Sequence, residues 1–242
     1  MSKRIPKELF KDDHFLGRPA DSDDRIVHRR IKLVRDFPGF TDKEKTLLDI
    51  GCGNGASVIA LHNDFKSCTG IDVEFKPEDG ENYRFLVLDI TSEKPDGEFD
   101  RIISFEVIEH LQKEDLENYY KSLKPGGFMA VSVPNKWWIF ETHGANIPWL
   151  QKIPWNRVPF FSWLPRPIHE KYANARIYTK SRIRKLLQRH GFNVLEMSYV
   201  TAPMDVLSEG RLKRFVIKHI FNTDTTKLPF KATSILVFVN KK

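Results

Sequence analysis

Three side chains able to move a proton stand together in Glu106-Val-Ile-Glu109-His110, directly after an apolar run from Asp100 to Phe105 that reads as a buried strand. If a helix begins here, the spacings i, i+3 and i+4 put Glu106, Glu109 and His110 on one face. That face would lie at the carboxyl edge of a sheet, where open α/β folds bind ligands. Glu109 and His110 are the candidates for assisting loss of a proton from an acceptor group.

A second set of residues reads as a ligand cradle. Leu47, Leu48 and Ile50 form a short strand that runs into Gly51-Cys-Gly53-Asn54-Gly55, a loop whose backbone can turn sharply and approach a ligand. A dinucleotide site wants G-x-G-x-x-G, but the spacing here is G-x-G-x-G and an acid, Asp49, precedes the first glycine by two. A carboxylate is a poor neighbour for phosphate. It suits an ammonium and a sulfonium, which points to S-adenosylmethionine rather than NAD. Asp72, at the tip of the next strand and 21 residues beyond Gly51, stands where an acid meets a ribose. Asp89 ends the strand after that, either as a further ligand residue or as a turn cap.

The glycine loop resembles the first signature of the class I methyltransferases, and the acids at successive strand tips resemble that family over about residues 45–135 and again over 175–240. The resemblance implies S-adenosylmethionine bound by Asp49, Gly51, Gly53, Asn54, Asp72, Val73, Asp89, Ile90 and Phe105. Asp89 would accept from the adenine amino group while Ile90 packs on the ring. Glu106-x-x-Glu109-His110 is similar to the E-x-x-E-H of ubiquinone-biosynthesis O-methyltransferases and of small-RNA 2′-O-methyltransferases. In those families this implies a divalent metal on Glu106, Glu109 and His110 that lowers the pKa of the hydroxyl to be methylated. Carboxylates with one imidazole suit Mg2+ or Mn2+ better than a soft ion. A fourth ligand would come from His143 or His169. In the metal-free alternative Glu106 serves the cofactor or substrate pocket, and His110 caps or acts as base.

The elements that must position these groups alternate as strand and helix. The expected fold is α/β, a Rossmann-like, mostly parallel sheet of seven strands in the order 3-2-1-4-5-7-6, with helices on both faces. Residues 1–44 form an N-terminal extension, polar at first and then helical over about 22–36. Val27, Ile31 and Val34 give that helix an apolar face, and it either packs on the sheet or covers the cofactor. Residues 45–242 form the methyltransferase-like domain. Leu123-Lys-Pro-Gly-Gly127 is a structural turn, and a helix from Thr179 or Ser181 to Gly191 should face Arg182, Arg184, Lys185 and Arg189 outward.

Residues 134–174 interrupt this pattern. All five tryptophans lie between Trp137 and Trp163, interleaved with prolines too dense for a long helix. The segment is expected to recognise substrate through Trp137, Trp138, His143 and His169. It reads as a lid with an aromatic pocket, as an interfacial patch that reaches a lipid-linked substrate, or as a stacking platform for RNA, with part of its aromatics spent on a small core of its own.

The net charge of +7 is local, because residues 150–190 hold ten Lys/Arg and one acid. Two cysteines, Cys52 and Cys68, imply no disulfide framework. A charged start and the absence of an 18-residue apolar run lead to the expectation of a cytoplasmic protein, peripheral to a membrane if residues 137–166 touch one. The expected function is S-adenosylmethionine-dependent methylation, on oxygen, of an amphipathic or sugar-containing small molecule such as a lipid-linked saccharide or a prenylated aromatic. The alternatives are an RNA methyltransferase using the basic 150–190 surface and a cofactor-binding scaffold without catalysis.

Overall fold

The computed structural model describes residues 24–111, 113–148, 150, 153, 158–204, 207–208 and 210–242. The first 23 residues of the expected N-terminal extension lie outside them, as do Trp149, Trp155, Lys152 and Arg157.

Five strands, β1 (Asp42–Ile50), β2 (Phe65–Asp72), β3 (Tyr83–Val87), β4 (Phe99–Phe105) and β5 (Leu123–Pro134), run parallel. β6 (Phe192–Thr201), β7 (Thr225–Thr226) and β8 (Ala232–Lys241) complete the sheet in the order β3-β2-β1-β4-β5-β8-β6-β7. β8 is antiparallel to both β5 and β6. Among the described residues the sheet thus has eight strands rather than seven. The addition is β7, a two-residue edge strand paired to Tyr199 and Val200, too short to leave an alternation in the sequence.

Adjacent apolar residues in the central strands serve opposite faces, which is why these strands read as continuous apolar runs. Leu48, Ile102, Val131 and Val237 join Tyr119 of α3 (Glu117–Ser122) and Ile183, Leu186 and Leu187 of α5 (Lys180–Arg189). Their neighbours Leu47, Ile103, Ala130 and Leu236 join Val27, Ile31 and Val34 of α1 (Arg25–Asp36) and Val58 and Leu61 of α2 (Ala56–Leu61). α6 (Arg211–His219) follows β6, and α4 (Arg166–Tyr172) lies inside the insert. Trp138 packs with Ala202, Met204 and Phe221 in a third, smaller cluster, so part of the insert is a core of its own that ties it to the chain after β6.

α1 packs on the sheet. Arg29 is buried and donates to the carbonyls of Thr201, Ala202 and Phe221 at 2.6, 2.8 and 2.6 Å, pinning the helix across the end of β6. α5 is capped by Thr179, whose hydroxyl accepts from the Arg182 amide. Arg182 does not face outward as expected. It turns in to Glu170 at 2.7 Å and Glu114 at 2.9 Å, pairing its half-buried guanidinium with two carboxylates.

Candidate active site

The loop after β1 is held by its neighbour strand. The amides of Gly51 and Cys52 both donate to the Ile71 carbonyl, at 2.8 and 3.0 Å. Gly51 has φ +75°, and a Cβ added there would lie 2.3 Å from the Val107 side chain. Gly55 has φ +81°, and its Cβ would strike the Phe85 ring at 2.5 Å. Both positions therefore need glycine for conformation and for space. Asn54 Oδ1 accepts from the Ala56 amide and starts α2.

Asp72 is buried and firmly oriented: one carboxylate oxygen accepts from the Gly53 amide at 3.1 Å and the other from those of Glu74 and Phe75. Beside it Asp49 is only 3% exposed. Burial, with the Asp72 charge second, pushes the Asp49 carboxyl up to about 8. An acid under this strain is suited to a cationic ligand group, which would restore its charged form. Val73 is half-buried, Ile90 is buried in the core beside Leu88, and Asp89 accepts from the amide and hydroxyl of Thr91, the turn-cap arrangement.

At the end of β4 the chain does not enter an α-helix. Glu106 has φ +57°, and its amide still donates to Ser132 of β5 at 3.0 Å. The chain then makes a 3-10 turn over Ile108–His110. A non-glycine residue in the left-handed region stores strain of order 1–3 kcal/mol and is concentrated at functional sites. Here the strain is offset by the Glu106 carboxylate, which accepts from Arg30 at 2.6 Å and from the Ser132 hydroxyl at 2.9 Å. The Arg30 guanidinium also lies 5.7 Å over the ring of the half-buried Phe105.

The turn delivers Glu109 to a fully buried position where neither carboxylate oxygen has a hydrogen-bond partner among the described residues. Burial first, and the Glu106 charge second, hold its carboxyl well above the ordinary range. His143 Nε2 lies 3.6 Å and His110 Nε2 3.9 Å from Glu109 Oε1, with the two imidazoles edge to face at 4.9 Å. One ligand atom from each of Glu109, His110 and His143 falls within 4.8 Å of the others. Glu106, engaged by Arg30, is not in this group; His143 stands in the place expected for it.

His143 is placed by a buried scaffold. Its amide donates to Glu141 Oε1 at 3.1 Å, its carbonyl accepts from Asn174 Nδ2 at 2.9 Å, and its Nδ1 meets the Thr142 hydroxyl at 2.9 Å. Burial pushes the imidazole down, toward the neutral form. Glu141 Oε2 pairs with the buried His169 Nε2 at 2.6 Å, so His169 supports the site through Glu141 instead of joining the group. Arg176 donates to the carbonyls of Glu109 and Leu111, tying the turn to the end of the insert. Trp137 is exposed and Trp138 is buried.

Arg30, Glu141 and Arg176 escaped the sequence reading. The signal for Arg30 was legible, a charge on the apolar stripe of Val27, Ile31 and Val34. Glu141 and Arg176 left none, because their partners lie in an irregular segment.

A family model described as a methyltransferase domain matches residues 24–197. A probable S-adenosylmethionine-dependent methyltransferase of Mycolicibacterium smegmatis is 25% identical over 184 residues, 73% of this chain and 63% of that protein. A ubiquinone biosynthesis O-methyltransferase of Pseudomonas paraeruginosa is 31% identical over 133 residues, 48% of this chain and 56% of that protein. The aligned parts thus cover less than two thirds of these curated relatives. Among solved structures, an S-adenosylmethionine-dependent methyltransferase from Mesorhizobium loti superposes with a TM-score of 0.57 at 16% identity, over 91% of this chain and 100% of that one, a likeness of fold.

Proposed function

The chain belongs to the class I S-adenosylmethionine-dependent methyltransferase family, and on that premise we propose that it transfers the methyl group of S-adenosylmethionine to an oxygen of an amphipathic or sugar-containing small molecule, such as a lipid-linked saccharide or a prenylated aromatic. The observation that carries this reading is the contact between Gly51 and Val107. It sets the cofactor loop against the turn that bears Glu109 and His110, so the sulfonium methyl and a proton acceptor would share one cleft. The glycine loop, Asp49 and Asp72 fit the cofactor: a tight left-handed loop beside two buried carboxylates.

In the displacement, the acceptor oxygen bonds to the methyl carbon while the carbon–sulfur pair returns to sulfur and leaves a neutral thioether. Alignment supplies most of the rate. The acceptor proton passes to neutral His143 or to His110, both within 4 Å of the Glu109 carboxyl. The Glu109, His110 and His143 set also fits a divalent metal, which when bound would stabilise charge on the acceptor oxygen. With two imidazoles and one carboxylate the set favours Mn2+ or another first-row ion over Mg2+.

The RNA reading draws less support. Of the basic block, Arg176 and Arg182 are turned inward and Arg166 pairs with Glu170 at 3.0 Å. The test is methyl transfer from labelled cofactor to lipid, glycan and RNA fractions, with calorimetry of S-adenosylmethionine binding. Label in the lipid or glycan fraction is expected. Label in RNA alone overturns the acceptor class, and absence of cofactor binding overturns the whole reading. For the metal, Mn2+ titrated into chelated protein should raise the melting temperature as well as the rate; no shift in either removes it.

A further inference from the structure

The carboxyl edge of the sheet carries an apolar and basic surface that the proposed chemistry does not use. β6 is parallel to β5, because both are antiparallel to β8. The segment leaving β6 and the insert leaving β5 therefore emerge on the edge that holds the Gly51 loop and Glu109. Of the thirteen large apolar side chains exposed among the described residues, ten fall in these two segments. Exposure so concentrated around one mouth marks a contact surface rather than scattered surface residues.

The part that follows β6 is the most explicit. α6 turns Val216 and Ile217 inward onto the Trp138 and Phe221 cluster. It presents Leu212, 67% exposed, and Phe215, 58% exposed, to solvent. Ile220, Leu228 and Phe230 extend that apolar surface toward the start of β8, where Asn135 Nδ2 anchors the 229–232 backbone through the carbonyls of Pro229 and Ala232. Residues 211–231 contain six lysines and arginines and one acid, Asp224. That acid is already paired to Lys32 at 2.6 Å. Arg211, Arg214 and Lys218 flank the exposed apolar stripe on one side and have no ion-pair partner among the described residues.

We propose that α6 and the 220–231 loop dock the protein on an anionic lipid bilayer, with Leu212, Phe215, Ile220, Leu228 and Phe230 in the acyl boundary and the flanking cations among the headgroups. An apolar stripe bordered by cations, on a helix lying along the surface, is the arrangement of interfacial helices. Charge decides the occupant, since a neutral protein groove would leave the cations without counter-charge. Docking in this pose turns the mouth of the site toward the membrane. This inference extends the amphipathic-acceptor reading and rests on it for its purpose, but not for its test.

The test is co-sedimentation of the full chain with vesicles of phosphatidylcholine alone and of phosphatidylcholine with phosphatidylglycerol, at low and high salt, with a single-stranded RNA competitor in a parallel arm. Binding to the anionic vesicles, weakened by salt, is expected. Phe215→Ser should lower partitioning by about tenfold, and each of Arg211→Gln, Arg214→Gln and Lys218→Gln by roughly fivefold. These side chains are exposed, so thermal melts and S-adenosylmethionine affinity should stay at the wild-type values. No binding to anionic vesicles, equal binding to both vesicle types, or displacement by RNA overturns the proposal. Cofactor binding measured without vesicles reports on the methyltransferase reading separately, so the two fail independently.

Discussion

At the scale of single residues, the proposed chemistry turns on two buried acids, Asp49 and Glu109. Asp49 holds its proton up to about pH 8 in the fold but loses it near pH 4 when unfolded. Between those values the folded state binds the extra proton, so this group's contribution to stability falls as pH rises. Relative to Asp49→Asn, the wild-type melting temperature should therefore decline from pH 5 to pH 8. Affinity for S-adenosylmethionine should move the other way, rising by up to about tenfold per pH unit through this window, because the cofactor's cation favours the carboxylate. Calorimetry in buffers of different ionisation heat would read the released proton; pH-independent binding would remove Asp49 from the cofactor site. Glu109, beside His143 at 3.6 Å, is placed for the transfer step. Glu109→Ala should lower the rate constant by about a hundredfold or more and leave cofactor affinity within a factor of two. Unchanged turnover would sink its assigned role.

At the scale of elements, α1 is the piece that connects packing to the site. It is held down by Arg29 on three carbonyls, and from that position Arg30 reaches Glu106 at 2.6 Å. Replacing Arg30 with Met keeps the volume but leaves the Glu106 carboxylate without its cation, next to Glu109. A stability loss of about 2–3 kcal/mol is expected, partly restored in the Arg30→Met, Glu106→Gln double variant. Denaturant midpoints for the four proteins of that cycle give the coupling. Additive effects would mean that the pair does not hold the turn in its left-handed conformation. Gly51→Ala is the corresponding probe of the glycine loop and of its proposed cofactor role. Its Cβ would meet Val107 at 2.3 Å with φ at +75°, so loss of soluble protein or of cofactor binding is expected rather than a mild effect.

At the scale of the whole molecule, the insert and the segment after β6 form one unit through the cluster of Trp138, Ala202, Met204 and Phe221. Trp138→Ala should cost about 3 kcal/mol. Hydrogen exchange should then rise together in residues 135–145, carrying His143, and in α6, while the central strands keep their protection. Independent behaviour of the two segments would break the link between the proton acceptor and the proposed docking surface.

The sheet, its parallel core and the glycine loop were legible in sequence because they follow local rules. Apolar runs such as Leu47-Leu48 and Ile102-Ile103 announce strands buried on both faces, and glycines such as Gly51 and Gly55 mark a left-handed turn. Acids at strand tips, such as Asp49 and Asp72, fall at fixed distances along such a repeat. What the tertiary structure alone decided was which side chains meet across irregular backbone. Glu106 to His110 was expected as a helical face, but strand pairing to Ser132 and the Arg30 ion pair force a reversal and a 3-10 turn instead. His143 joins Glu109 and His110 because Glu141 and Asn174 fix its loop, Asn174 from 31 positions away. Such contacts are set by long-range packing and by the need to satisfy buried polar groups, and neither leaves a period in the chain.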